Sequence, residues 1–214
     1  MNPNLEMRVN KINVGLYTVT YGCKKAPLDV QEAAFAANGL ETVSPAQLGF
    51  LRAREGQGTF QPHSRTNADV FYDDRNNQVV IVPNGALSKL VGVANLVSAH
   101  RRHKEYIIPK NLREVTYATV DEMLKSSTAF TAPNGKTSVP VSDFGKHDLV
   151  SRLFSDKGLG IEAQEYGDWQ KKRGRDYQLI FFDSADYAKF QKGPYLNRLR
   201  VFGHVSDFSV NGDG

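Results

Sequence analysis

The chain has 214 residues, 40% of them hydrophobic and 23% charged, which excludes a disordered or fibrous protein and suits one large domain or two small ones. Lys plus Arg number 27 against 23 Asp plus Glu, a formal charge of +4, so a polyanionic partner is permitted and the placement of charge decides. The single cysteine, Cys23, excludes an intramolecular disulfide and a multi-cysteine metal site, and no apolar run has the length of a signal peptide or a membrane span. These features predict a soluble, intracellular protein, cytoplasmic or carried in a viral particle, with no membrane partner.

Met1 to Glu6 reads as a polar arm or loop. From Arg8 to Tyr21 the pattern is that of strand: Ile12, Val14 and Leu16 alternate, then the apolar phase moves to Tyr17, Val19 and Tyr21. A phase change beside Gly15 predicts one long strand with a bulge, or two short strands. Asp29 to Asn38 is an alanine-rich helix closed by Gly39. Ser44 before Pro45 starts a second helix that runs to about Glu55. Residues 56–66 read as loop, and Ala68 to Val82 as a β-hairpin turning at residues 73–77, with Val79 to Val82 a nearly continuous apolar strand.

Between Pro83 and Pro109 the spacing predicts the central amphipathic helix of the fold. Leu87, Leu90, Val91, Ala94 and Val97 form one stripe, Asn84 is the expected N-cap, and Pro109 forbids continuation. Residues 110–119 favour strand in their VTYATV portion, and Val120 to Ser127 reads as a short helix. Residues 128–142, rich in Thr, Pro, Gly and Ser, read as a linker or exposed hairpin. They would separate an N-terminal α+β unit, 1–127, from a smaller C-terminal α+β subdomain, 143–205, followed by a polar tail, 206–214. In the C-terminal part, His147 to Lys157 is an amphipathic helix with Leu149, Val150, Leu153 and Phe154 inward. Leu159 to Tyr166 and Tyr177 to Phe182 read as strands, residues 183–191 as a short helix, and Tyr195 to Val205 as a last strand. The fold class is therefore α+β (mixed α/β), with antiparallel hairpins around a central helix.

Phosphate-loop, kinase and dinucleotide motifs fail. Gly135-Lys136-Thr137 has Phe130 where a phosphate loop needs its first glycine, and Val139 and Pro140 deny the helix that would follow. Asp143-Phe144-Gly145 stands without the other kinase signatures, and Gly158-Leu159-Gly160 lacks a third glycine. Two basic blocks remain. The first ends the central helix, with His100, Arg101, Arg102, His103 and Lys104. The second is Lys171, Lys172, Arg173 and Arg175 around a turn at Gly174, with Trp169 before it and Tyr177 after it.

Cations suit the negative end of a helix dipole, and single basic turns are commonly just solvated. Cations beside aromatic planes also supply what single-stranded nucleic acid needs, charge for phosphate and a face for the base. The reading is a nucleic-acid-binding protein rather than an enzyme, single-stranded or RNA targets favoured, using Arg101, Arg102, Lys104, Trp169, Lys171, Lys172, Arg173, Arg175 and Tyr177. No cofactor or metal is expected. The alternatives are a subunit of a homo-oligomer or larger particle, and a metal-independent ribonuclease with His100 or His103 as general base, spaced i, i+3 on one helix face. The shared-site reading further expects the two basic blocks to lie near one another.

Overall fold

The computed structural model describes residues 7–14, 16–23, 26, 28–55, 63–100, 106–132, 135–155, 160–182, 193–202 and 207–209. The class is α+β, and the chain forms two compact units, Met1–Thr42 and Val43–Gly214.

In the first unit, strands β1 (Arg8–Val14) and β2 (Tyr17–Cys23) form an antiparallel hairpin in which Val14 pairs with Tyr17, Ile12 with Val19 and Asn10 with Tyr21. This pairing explains the apolar phase change. A two-residue connection puts Val14 and Tyr17 opposite one another, so odd and even positions must exchange faces across the turn. Asn13 and Thr18 share the other face, where the Thr18 hydroxyl donates to Asn13 Oδ1 at 3.0 Å. Helix α1 (Leu28–Ala37) ends on Gly39 at φ +67°. The Leu40 and Gly39 amides return to the Phe35 and Ala36 carbonyls, the double bond pattern that a left-handed glycine permits.

The second unit opens with helix α2 (Pro45–Glu55). Ser44 Oγ accepts from the Gln47 amide at 3.2 Å while Gln47 Oε1 accepts from the Ser44 amide at 3.0 Å, a reciprocal capping box. Strand β3 (His63–Asp73) begins inside the expected loop and pairs with β4 (Gln78–Val82) as the expected hairpin. The remaining strands are β5 (Tyr106–Ile107), β6 (Phe130–Ala132), β7 (Gly135–Pro140), β8 (Tyr177–Phe182), β9 (Tyr195–Phe202) and β10 (Asp207–Ser209). One sheet contains them in the order β6-β4-β3-β9-β10-β8-β7, with β5 on β9; among the described residues only β10 and β8 run parallel. Strands from both sides of residues 128–142 thus share one sheet, and that segment itself supplies β6 and β7. These two stand at opposite ends of the strand order, yet only residues 133 and 134 separate them. Three Cα steps span at most about 11 Å, so the sheet curls until its two edges approach. Residues 207–209, expected in a polar tail, form β10.

The central helix is broken in two, which corrects the single amphipathic helix expected here. A 3-10 turn, Pro83–Gly85, precedes α3 (Ala86–Val91); Gly92, at φ +85°, separates it from α4 (Val93–His100). Asn84 is not the N-cap: it lies inside the 3-10 turn at φ +60°, and Gly85 holds the cap position without a side chain to offer. The capping acceptor comes instead from β3. Asp69, wholly buried, accepts from the Ser88 amide at 2.9 Å and from the Ser88 hydroxyl. Of the expected stripe, Leu87, Val91 and Val97 are buried but Leu90 and Ala94 are exposed, because the break at Gly92 turns the second helix; Leu96 takes a core place instead, and Leu87, Val91 and Leu96 pack with Phe71, Val80, Val82, Ile108, Val120 and Leu196.

Residues 110–125 form one helix, α5 (Lys110–Lys125), where a strand and a short helix were expected. Thr116 and Val120 are buried, with Leu112 and Leu124 packed against the same core, a four-residue spacing that outweighs the β preference of VTYATV. Thr116 and Thr119 return their hydroxyls to the Leu112 and Val115 carbonyls, which satisfies the polar groups that β-branched residues bring into a helix.

The β3–β4 turn is tied to α5 by Arg75. Its guanidinium donates to both Asp73 oxygens and both Asp121 oxygens at 2.8–3.0 Å, and lies 4.0 Å from the centre of the Tyr117 ring. Burial works to raise the Asp73 pKa, but hydrogen bonds from Arg75 and Asn76 outweigh it and hold the carboxyl below its ordinary range. The Arg75 hydrogen bonds likewise depress Asp121. Tyr117, which donates to Asp74, is pushed up to about 12 by burial first and by that carboxylate second.

After β7, a 3-10 helix (Val141–Lys146) leads into α6 (Asp148–Leu153), which buries the expected Leu149, Val150 and Leu153, with Phe154 just beyond; the helix stops at Leu153, short of the Lys157 expected. Helix α7 (Ala163–Lys172) corrects the strand expected at 159–166. Its inward face is Ala163, Tyr166, Gly167 and Gln170, a helical spacing in which only two members are apolar side chains of any size.

Candidate nucleic-acid interface

The second basic block sits on the C-terminal end of α7, so the turn at Gly174 closes a helix. Three features fix the helix. Gly167 lies so close to the Val141 carbonyl that no Cβ fits between them. Gln164 Oε1 accepts from the Gly145 amide at 3.0 Å. Tyr166, wholly buried, stacks on buried Phe154 with ring centres 5.2 Å apart and 28° between planes, and receives a hydrogen bond on its hydroxyl from Gln170.

The turn expected at Gly174 is present and has a definite form. Gly174 takes φ +77°; its amide donates to the Lys171 carbonyl at 2.9 Å, and the Arg175 amide donates to the Gln170 carbonyl at 3.2 Å. This is a glycine-terminated helix, with Lys171 and Lys172 in the last turn and Arg173 at the cap. Lys171, Lys172 and Arg173 are exposed and Arg175 is half-buried. Among the described residues, neither Lys171 nor Lys172 makes an ion pair. One or two cations here would satisfy the helix dipole; a run of this length exceeds that need. Tyr177, first residue of β8, is 61% exposed.

Trp169 lies on α7, one turn before the cap, rather than in an open loop. Its ring stacks on Tyr166 at 5.4 Å and 22°, and the Arg173 guanidinium lies 5.2 Å from its centre on the next turn. The indole is therefore not a bare platform. Reading residues 159–166 as a strand concealed this arrangement; the signal for it is the i, i+3, i+7 spacing of Tyr166, Trp169 and Arg173.

Of the other expected site residues, Arg101, Arg102, His103 and Lys104 lie outside the described residues, so the expected proximity of the two basic blocks lies outside them too. His100 ends α4 and its side chain is likewise outside the description. Among the described residues, no group of three or more His, Cys, Asp or Glu side chains is placed to hold a metal ion. No helix among them is long and apolar enough to cross a membrane.

No family model matches the chain, and no curated protein matches it. A solved structure described as "Accommodation of massive sequence variation in Nanoarchaeota by the C-type lectin fold" is similar at 12% identity, over 84% of this chain and 87% of that one, with a TM-score of 0.47.

Proposed function

We propose that the cationic C-terminal turn of α7 binds nucleic acid, with single strands favoured over duplex. The observation that supports this is the exposure of Lys171 and Lys172, without ion pairs among the described residues, beside Arg173 and Arg175 on a rigidly anchored helix end. A fixed cluster of cations attracts a polyanion because each phosphate it neutralises releases condensed counterions. The test is fluorescence anisotropy of a labelled single-stranded oligonucleotide over a salt series. Lys171→Ala with Lys172→Ala is expected to weaken binding and to lower the log–log salt slope by roughly 1.4, about 0.7 for each single-strand phosphate no longer neutralised. An unchanged affinity and slope would refute the reading.

A second reading, a subunit of an oligomer or larger assembly, draws support from the β1–β2 hairpin. Leu16 at its tip is 100% exposed and Tyr17 beside it 70% exposed. Apolar side chains fully in water at the end of a hairpin are costly unless another surface covers them. Light scattering is expected to show a concentration-dependent rise in mass that Leu16→Ser with Tyr17→Ser abolishes. A monomer at all concentrations counts against self-assembly.

A further inference from the structure

Resting on the assembly reading, we infer that the outer edge of β2 pairs with itself: a second copy of this chain adds its own β2 antiparallel to it, with Val19 on the two-fold axis. Residues 17–21 read Tyr-Thr-Val-Thr-Tyr, the same in both directions. Antiparallel pairing centred on Val19 therefore sets like against like. Tyr17 comes opposite Tyr21 of the second copy, Thr18 opposite Thr20, and Val19 opposite itself, all pairings that favour a sheet. The backbone agrees with this register. Val14 and Tyr17 flank a two-residue connection, so they form the hydrogen-bonded pair that closes it. Bonded and non-bonded pairs alternate along an antiparallel ladder. Tyr17, Val19 and Tyr21 thus direct their backbone groups to β1, and Thr18 and Thr20 turn theirs to the outer edge. Both threonines are exposed, and among the described residues β2 pairs with β1 alone. Pairing about Val19 joins each of these outward groups to its counterpart in the second copy.

Charge selects this edge over the other. Strand β2 carries no charged residue, whereas β1 carries Arg8 and Lys11. Pairing β1 with itself about its centre would set Lys11 against Lys11 and Val9 against Asn13, and a lysine on an edge strand is a common block to pairing. Assembly through β2 therefore stops at two copies, each with a lysine-bearing strand outermost. The antiparallel register also lays the exposed tip of one hairpin, Leu16 and Tyr17, beside the base of the other, where Tyr21 is buried. One short strand edge is smaller than the roughly 800 Å² per partner of a standard interface, so the dimer is a reversible one.

The full chain is followed by sedimentation equilibrium over a concentration series. The parent is expected to reach twice the mass of one chain and no more. Thr18→Lys with Thr20→Lys sets cation against cation on both sides of the axis, and the dissociation constant is expected to rise by about tenfold or more. Thr18→Lys with Thr20→Glu sets each cation against a carboxylate when Val19 lies on the axis, whereas a register centred on Thr18 or Thr20 would oppose like charges. Its dissociation constant is expected to stay within about threefold of the parent. Both variants lose the Thr18–Asn13 hydrogen bond and keep the backbone pairing with β1, so their difference reports the interface. If the two variants weaken the dimer equally, or if neither does, the inference fails while self-assembly stands. Growth of the parent beyond two copies overturns it in the same way. If the parent is a monomer at every concentration, both fail, and the edge is left to a strand of another protein.

Discussion

Gly167→Ala is expected to destabilise the second unit by about 3 kcal/mol, at the upper end of what an overpacked methyl group costs. The added Cβ would overlap the Val141 carbonyl oxygen and crowd Phe144 Cβ at 3.1 Å. Neither neighbour can yield cheaply. Val141 is backbone, and its amide is held by the Asp176 carbonyl at 2.9 Å, just before β8. Phe144 is wholly buried. Alanine is the better helix former by about 1 kcal/mol, which offsets part of the clash. The expected readout is a fall in melting temperature of roughly 10 °C, from the relation between free energy and midpoint for a unit of this size. A variant within about 0.5 kcal/mol of the parent, the range of ordinary surface changes, would show that α7 does not press on Val141 as described.

Asp69→Ala is expected to cost a similar amount, about 3 kcal/mol, through a different mechanism. The carboxylate serves as N-cap for α3 from a neighbouring strand, because Gly85 at the cap position has no side chain. Removing it leaves the Ser88 amide and hydroxyl without that acceptor at a site where both residues are 0% exposed. Water cannot readily replace it there, so the full desolvation cost of the donors is felt. Asp69→Asn retains one acceptor oxygen and is expected to lose clearly less. Urea titrations would separate the cases: a lowered midpoint with unchanged slope for alanine, and a smaller shift for asparagine. Equal losses for the two would mean that the capping bond is not what Asp69 contributes.

These two sites show where sequence reasoning stops. The helix start at Ser44 and Pro45, the glycine end at Gly39, the turn at Gly174 and the turn between β3 and β4 are local chemistry, and their residues announce them. Asp69 caps a helix that begins well downstream, and nothing in its neighbourhood in sequence says so. Helix α7 was hidden for a related reason. Leu159, Ile161 and Ala163 alternate as a strand would, while the true inward face includes Gly167 and Gln170, whose burial depends on Val141, Phe144 and Tyr166. In α5, local β preference pointed the wrong way because packing of Thr116 and Val120 decided the outcome. For the candidate site, the cations were legible and their geometry was not. The stack behind Trp169 requires α7 to be a helix.

The pairing of β3 with β9 also sets an order of events. Phe71 lies opposite Leu196, so most of the second unit is synthesised between one partner and the other. Until β9 arrives, β3 has β4 on one side and an open edge on the other, and β10, β8 and β7 have no route into the sheet. Closing a loop of that length must precede the pairing that rewards it, a topology associated with slow folding and with nascent chains vulnerable to pairing with the wrong edge. The short apolar segment around Tyr195 and Leu196 therefore acts as the latch of the sheet: late in the chain, wholly buried once in place, and the step on which commitment to the native topology depends.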